Sequence, residues 1–187
     1  MLATGVLLGL LREHFGNPQA ITEPLLKHYV WRSDDDTAIM IETCTNDVLT
    51  RLQMRPAILV RRDVIQIKRE GLDDEIKSFS PSTGNSYVVT LHGSHTIFCI
   101  AGKPNHAEML ANETAIYLLQ FAPCIRGNLC FRGDFKLEQI GELATIQGVG
   151  GQYVVPVTFS YVTDFAWTIA PDVPVLRHIN FKLLLNS

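Results

Sequence analysis

The residues best suited to chemistry stand together in Val88-Val-Thr-Leu-His-Gly-Ser-His-Thr-Ile-Phe-Cys-Ile-Ala101, which holds His92, Ser94, His95 and Cys99. A hydroxyl or thiol beside an imidazole is the raw material of a nucleophile with its general base. The spacing works against that use. Neighbours on an extended strand alternate faces, so His95 points away from Ser94, and only His92 can share its face. No orienting acid adjoins them in sequence, and the G-x-S-x-G turn of a nucleophile elbow is absent. A small cellular enzyme using the His92/Ser94/Cys99 region stays open as an alternative, and no residue is assigned as catalytic.

Other candidate chemistry is weaker still. Asp34-Asp-Asp36 puts three acids side by side, without the alternating ligand spacing of a calcium loop, and reads as a solvated turn. The cysteines at 44, 99, 124 and 130 have no CxxC spacing and sit among apolar residues, which suits a reduced, intracellular protein using cysteine as a small hydrophobe. Clustered Cys/His pairs of the kind zinc needs are missing. Gly148-Val-Gly-Gly151 joins two expected strands instead of opening a helix, so it is a turn and no phosphate cradle. No metal and no cofactor are expected. His106 and His178 read as structural or exposed.

Charge gives a further bound. The net charge of −3 supplies no general attraction to nucleic acid. Its distribution is uneven: residues 1–50 carry seven acids against three bases, whereas Arg61, Arg62, Lys68 and Arg69 crowd the next segment. Arg61 and Arg62 are candidates for an inter-subunit or DNA-facing role. Without aromatics between them to stack on bases, a solvated face or ion pairs to the acidic segment is the simpler expectation.

The elements that must position these residues follow from periodicity. With 47% apolar and 19% charged residues the chain can build a core. Met1 to Arg12 lacks a cationic start and a cleavage site, and its apolar run is too short to span a bilayer. Leucines at 7, 8, 10 and 11 predict a buried or docking helix with Arg12, Glu13 and His14 at its polar end. Residues 37–53 show a loose helical pattern through Ile39, Ile41, Val48 and Leu52. Residues 57–69 read as a long strand whose alternation changes phase at Arg61-Arg62-Asp63, as a bulge would cause. Residues 71–86 read as a long polar loop. Residues 87–101 are expected as one strand, bulged at Gly93, pairing back along 57–69.

The clearest helix follows. Asn105 and Glu108 suggest a capping box, and Pro123 and Gly127 mark its end. Ala107, Leu110, Ala111, Thr114, Leu118 and Phe121 form a stripe to lie on the sheet. Met109, Ile116 and Leu119 form a second stripe, which one molecule has no use for and which is therefore a candidate subunit interface. Two strands complete the core, one over 131–147 with a bulge expected at Gly141, and one over 153–169 with the strongest alternation in the chain. Pro156 within the latter requires an edge position or a local break. The expected fold is α+β: an antiparallel, twisted sheet of about four strands with a helix on one face. The organisation is a helical extension over 1–54, a core over 55–169 and a C-terminal arm over 170–187 that packs on the core or reaches onto a neighbour.

Some of these segments have a familiar order. Gly93-Ser-His-Thr-Ile-Phe-Cys-Ile-Ala101 leads into a helix with Leu110-Ala-x-Glu113 and Phe121-Ala-Pro123. Asp134-Phe-Lys-Leu-Glu-Gln-Ile-Gly141 and Gln152-Tyr-Val-Val-Pro-Val-Thr-Phe-Ser-Tyr161 come next. Over residues 55–169 this succession resembles the tail-terminator and neck proteins at the head–tail junction of tailed bacteriophages. The resemblance implies a virion protein, assembled in the bacterial host cytoplasm, that forms a hexameric ring. Its partners would be copies of itself, the tail tube protein and connector or adaptor proteins. Genomic DNA would pass through the lumen without sequence-specific binding, and no membrane would be involved. The family works through surfaces and offers no catalytic residues. In that setting Asp73, Asp74, Glu75 and Lys77 of the polar segment become candidates for contact with the tail tube or lumen. A neighbouring adaptor or stopper of the same neck is the closest alternative, and a nucleic-acid-binding module a more distant one.

Overall fold

The structure, a computed structural model, describes residues 2–34, 37–45, 52, 55–68, 75–80, 84–129, 131–146 and 151–169. Its order is helix α1 (Leu2–Gly16), a short 3-10 turn (Pro24–Leu26), strands β1 (Met40–Thr43), β2 (Ala57–Arg62), β3 (Gln66–Lys68), β4 (Glu75–Ser80) and β5 (Gly84–Ala101), helix α2 (Pro104–Asn128), then β6 (Phe131–Ile140), β7 (Ala144–Thr145) and β8 (Tyr153–Ile169). The sheet runs β1-β2-β5-β8-β6, with β3 and β4 added to β5 and β7 to β8. Among the described residues only β1 and β2 pair in parallel, and every other pairing is antiparallel. The fold is α+β, a mostly antiparallel open sheet with helices packed against it.

β5 and β8 are the spine. They pair without interruption from Asn85↔Ile169 to Ala101↔Tyr153. Period-2 alternation then divides the side chains. Ile97, Cys99, Val155, Val157, Phe159 and Tyr161 join Ile58 and Val60 on one face, where Leu7, Leu11 and Phe15 of α1 and Leu110, Ala111 and Leu118 of α2 cover them. The other face carries a smaller cluster of Met40, Leu52, Ala57, Leu59 and Ile100. The segment read as an N-terminal extension thus supplies α1 to the main core and β1 to the sheet.

Several sequence expectations change here. The loose helical pattern at 37–53 gives strand β1 over Met40–Thr43, because Ile39 and Ile41 fill one face and Met40 the other. An apolar run buried on both sides has no strand period to show. The long loop is largely strand: residues 75–80 form β4 and 84–86 open β5, paired with each other. Neither half alternates cleanly, so only partner backbone could reveal them. The helix begins at Pro104 with Lys103 as N-cap and no side-chain cap bond, so the Asn105/Glu108 box does not form. It also continues through Pro123 to Asn128. A proline there forfeits one N–H bond to the carbonyl four residues back, at Leu119, where solvent can replace it.

The bulges have also moved. Arg62 pairs with His95 and Gln66 with His92, so residue numbers sum to 157 and then to 158. The extra residue lies within 63–65, not at Gly93. It accounts for the phase change, since Val60 opposite Ile97 and Ile67 opposite Leu91 end on the same face. In the last strands the register shifts between Phe131 and Phe135 and again between Leu137 and Gln139, both ahead of Gly141. Gly141 abuts Pro156, donating its N–H to the Pro156 carbonyl at 2.7 Å, and a Cβ there would come within 2.7 Å of the proline ring. Pro156 therefore sits in the gap between β6 and β7, the local break its missing donor requires.

Gly93 answers to a different constraint. It pairs with Tyr161, whose ring crosses over it, and a Cβ on residue 93 would lie 2.5 Å from the phenolic oxygen. Glycine is needed for close approach. Gly93→Ala is expected to cost about 1–3 kcal/mol, the usual penalty of overpacking. Ser94→Ala, one residue away on the other face, should cost less, and urea denaturation of both variants measures the difference.

Candidate functional site

The HGSH segment is built into the middle of β5, and the structure disperses its reactive groups. Ser94 and Thr96 share the face away from the helices, and both hydroxyls donate to Oδ2 of Asp63, at 3.2 and 2.7 Å. Asp63 occupies the bulge between β2 and β3. Its backbone N–H reaches the Ser94 carbonyl at 3.0 Å, and its Oδ1 accepts from Arg61 Nε at 3.1 Å. A carboxylate receiving two hydroxyls and a guanidinium fastens the bulge to the strand beside it. The Ser94 hydroxyl is thus bound to a carboxylate that Thr96 and Arg61 also engage, and not to an imidazole as in a serine triad.

His95 and Cys99 face the opposite way, into the helix layer. His95 is buried, with Nε2 2.9 Å from Thr4 Oγ1 of α1 and Nδ1 without a partner among the described residues. Protonation would add an N–H at a ring nitrogen that has nothing to receive it. Burial accordingly lowers the His95 pKa to about 4, with Asp63 opposing that shift and Arg62 adding to it. Cys99 is enclosed against Thr114 of α2 at 3.8 Å, and burial pushes its thiol up to about 12, so it is held as a neutral thiol. His92 lies on the Ser94 face, yet the serine's hydrogen bond goes to Asp63. The structure does not bring His92, Ser94 and Cys99 together.

Arg61 and Arg62 are likewise separated. Arg61 lies over the Phe98 ring, 4.8 Å from its centroid, on the face away from the helices. Arg62 pairs with His95, and its charge acts on His95 and Tyr161 on the helix side. One phosphate backbone on one face cannot meet both. Glu75 and Lys77 belong to β4, and Asp73 and Asp74 lie outside the described residues, as do Asp35, Asp36 and Cys130. Among the described residues no three His, Cys, Asp or Glu side chains converge as metal ligands. No described helix is long and apolar enough to cross a membrane.

Two features escaped the sequence reading. Glu113 is buried on α2, and its Oε1 accepts from His14 Nε2 at 2.9 Å and from the Thr22 N–H at 2.8 Å. Oε2 accepts the Glu23 N–H at 3.3 Å. One side chain thereby fixes the end of α1 and the lead-in to the 3-10 turn against α2. His14, expected at the polar end of its helix, is buried and stacks on Tyr117 with centroids 4.0 Å apart. The only signal for either was a lone acid and a lone histidine among apolar helical neighbours.

A cleft of about 320 Å³ opens beside this pair, lined by His14, Glu113, Ile116, Tyr117, Gln120 and Phe121 among others. Its rim is the outer surface of α2, where Ile116 is 52% and Leu119 43% exposed. Phe121, expected on the sheet, sits at this rim against Tyr117. Met109, the third member of the second stripe, is half-buried against the core. The helix therefore keeps an apolar outward strip bordering a recess. No protein-family model and no curated protein sequence matches this chain. The fold is α+β, and among its accessible apolar features is the outer face of α2, with Val64, Ile67 and Phe165 exposed elsewhere.

Two measurements follow. Glu113→Ala would strand three donors, the His14 ring nitrogen and two backbone N–H groups, and is expected to cost about 3 kcal/mol or more in urea denaturation, with Glu113→Gln losing less. His95 gives a pH signature. Its folded value near 4 lies below the ordinary 6.5, so the unfolded chain takes up the proton first. Stability should fall as pH drops below 6.5 towards 4, by an amount on the order of 3 kcal/mol from this residue. His95→Gln should flatten that part of the profile relative to wild type, and an unchanged slope would refute the assignment.

Proposed function

We propose that this chain is a structural subunit of the head–tail junction of a tailed bacteriophage, closing with further copies into a ring that terminates the tail tube and joins it to the connector. The observation that carries the proposal is the outward apolar strip of α2, with Ile116 and Leu119 about half exposed beside a recess. A strip of this kind on a helix whose other face is fully buried suits burial against an identical neighbour. The segment order over residues 55–169 supplies the resemblance to ring-forming neck proteins.

The sheet's proportions suit the same role. β5, at about 3.3 Å per residue, runs about 59 Å, whereas α2, at about 1.5 Å per residue, runs about 37 Å. β6 starts opposite Thr163, so β4, β5 and β8 continue as a three-stranded end of the sheet beyond the first paired residue of β6. That end, with Glu75 and Lys77 on β4, is the part of the subunit assigned to the tail tube or lumen. Arg61 and Arg62, on opposite faces, are suited to two different neighbours, with DNA passing through without being read.

The test is assembly state. Native mass spectrometry of the full chain should show a closed oligomer. Ile116→Asp combined with Leu119→Asp should give monomers with unaltered circular dichroism, because both side chains are already solvent-facing. A wild-type chain that stays monomeric throughout the micromolar range would rule the ring out.

A further inference from the structure

The α2 strip and its cleft leave an occupant to be named, and the chain carries a segment of matching chemistry. Eighteen residues, 170–187, follow β8. Within them Ile179, Phe181, Leu183 and Leu185 alternate with His178, Asn180, Lys182 and Leu184. A period of two with one apolar side describes an extended segment that needs an apolar surface to lie on. We infer that the outer groove of α2 receives residues 179–185 of a second copy of the chain, with Phe181 directed to the cleft bordered by Ile116 and Phe121.

Charge and reach select this occupant. The segment carries Arg177 and Lys182 around its apolar positions. On the groove side, Glu13 lines the cleft, and the exposed Glu108 lies two helical turns before Ile116 on the same side of α2. Opposite signs at a rim steer association and fix its register. Reach decides which copy. Cys99 touches Thr114, so that point of α2 is level with residue 99 of β5, while Ile169 pairs with Asn85 fourteen residues away, about 46 Å at 3.3 Å per residue. Ile116 and Phe121 lie two and seven residues further along α2, which returns towards the start of β6, so the groove is about 36–43 Å from the level of Ile169. To bring Phe181 to its own groove the chain would have to reverse at once after Ile169. It would then run taut, since the twelve residues from Ile169 to Phe181 span at most about 43 Å. β8 itself runs the other way, ending at Ile169 opposite Asn85, away from the level at which Thr114 of α2 meets Cys99.

This inference rests on the ring reading, and the experiment separates the two. p-Benzoylphenylalanine replaces Phe181 in the full-length chain, which is irradiated and mapped by mass spectrometry. The expected product has the mass of two chains, with the cross-link on α2 between Glu113 and Cys124. Ile116→Asp with Leu119→Asp should reduce its yield roughly tenfold, as loss of a central anchor does. Ile140→Asp, on exposed β6, should leave the yield unchanged. A cross-link confined to single chains would show that each molecule covers its own groove, and one elsewhere, or none, would equally overturn the inference. Should the unmodified chain remain oligomeric in native mass spectrometry in any of those cases, the ring reading survives and only the occupant is wrong. A monomeric chain removes both.

Discussion

The uninterrupted pairing of β5 with β8 is the constraint on which the rest of this molecule depends. Seventeen consecutive residue pairs lock two long strands in one register, and a shift by one residue would turn every core side chain to the wrong face. Each added element takes its position from that ladder. β2 and β3 align on β5, β6 and β7 on β8, and both helices cover the single face on which Ile97, Cys99, Val157 and Phe159 emerge. Where the ladder meets an awkward residue, the structure adapts beside it. Gly93 leaves room for the Tyr161 ring, and Pro156 falls where β6 gives way to β7.

Polar groups inside this framework act as fasteners. Asp63 ties the one-residue bulge to the middle of β5 through Ser94 and Thr96, which keeps β3 in register after the phase change. Glu113 gathers His14 and two backbone N–H groups, so α1, the 3-10 turn and α2 are held as one layer. A buried carboxylate is tolerated only when its acceptor sites are filled, and both are filled from segments distant in sequence. The residues that invited a catalytic reading are among those used for fastening. In Ser94, His95 and Cys99, a hydroxyl bound to a carboxylate, a buried neutral imidazole and an enclosed thiol do structural duty.

Among the features available on the surface are an apolar helix face and a three-stranded end of sheet. Both are properties of shape and hydrophobicity, and both support the proposed ring of copies. The same layer that buries one side of α2 on the sheet leaves its other side outward, because a helix of twenty-five residues touches the sheet along one stripe only.

Elements with a local pattern were legible in the residues. An N-terminal helix through Leu7 to Leu11, a long helix after Pro104, the strand at 153–169 and the outward position of Ile116 and Leu119 follow from periodicities of 3.6 or 2, and the pairing of 57–68 with 90–100 from two β-rich segments of matching length. Tertiary structure decided the rest, for reasons of partnership across distance. β1 and β4 are strands because backbone from β2 and β5 lies beside them, and neither carries an alternation that would reveal it. The bulge sits at 63–65 because Asp63 finds two hydroxyls on a neighbouring strand, while the glycine that suggested a bulge is needed for a tyrosine sixty-eight positions away. His14 and Glu113 are ninety-nine residues apart, and no local pattern can announce a bond that only folding makes.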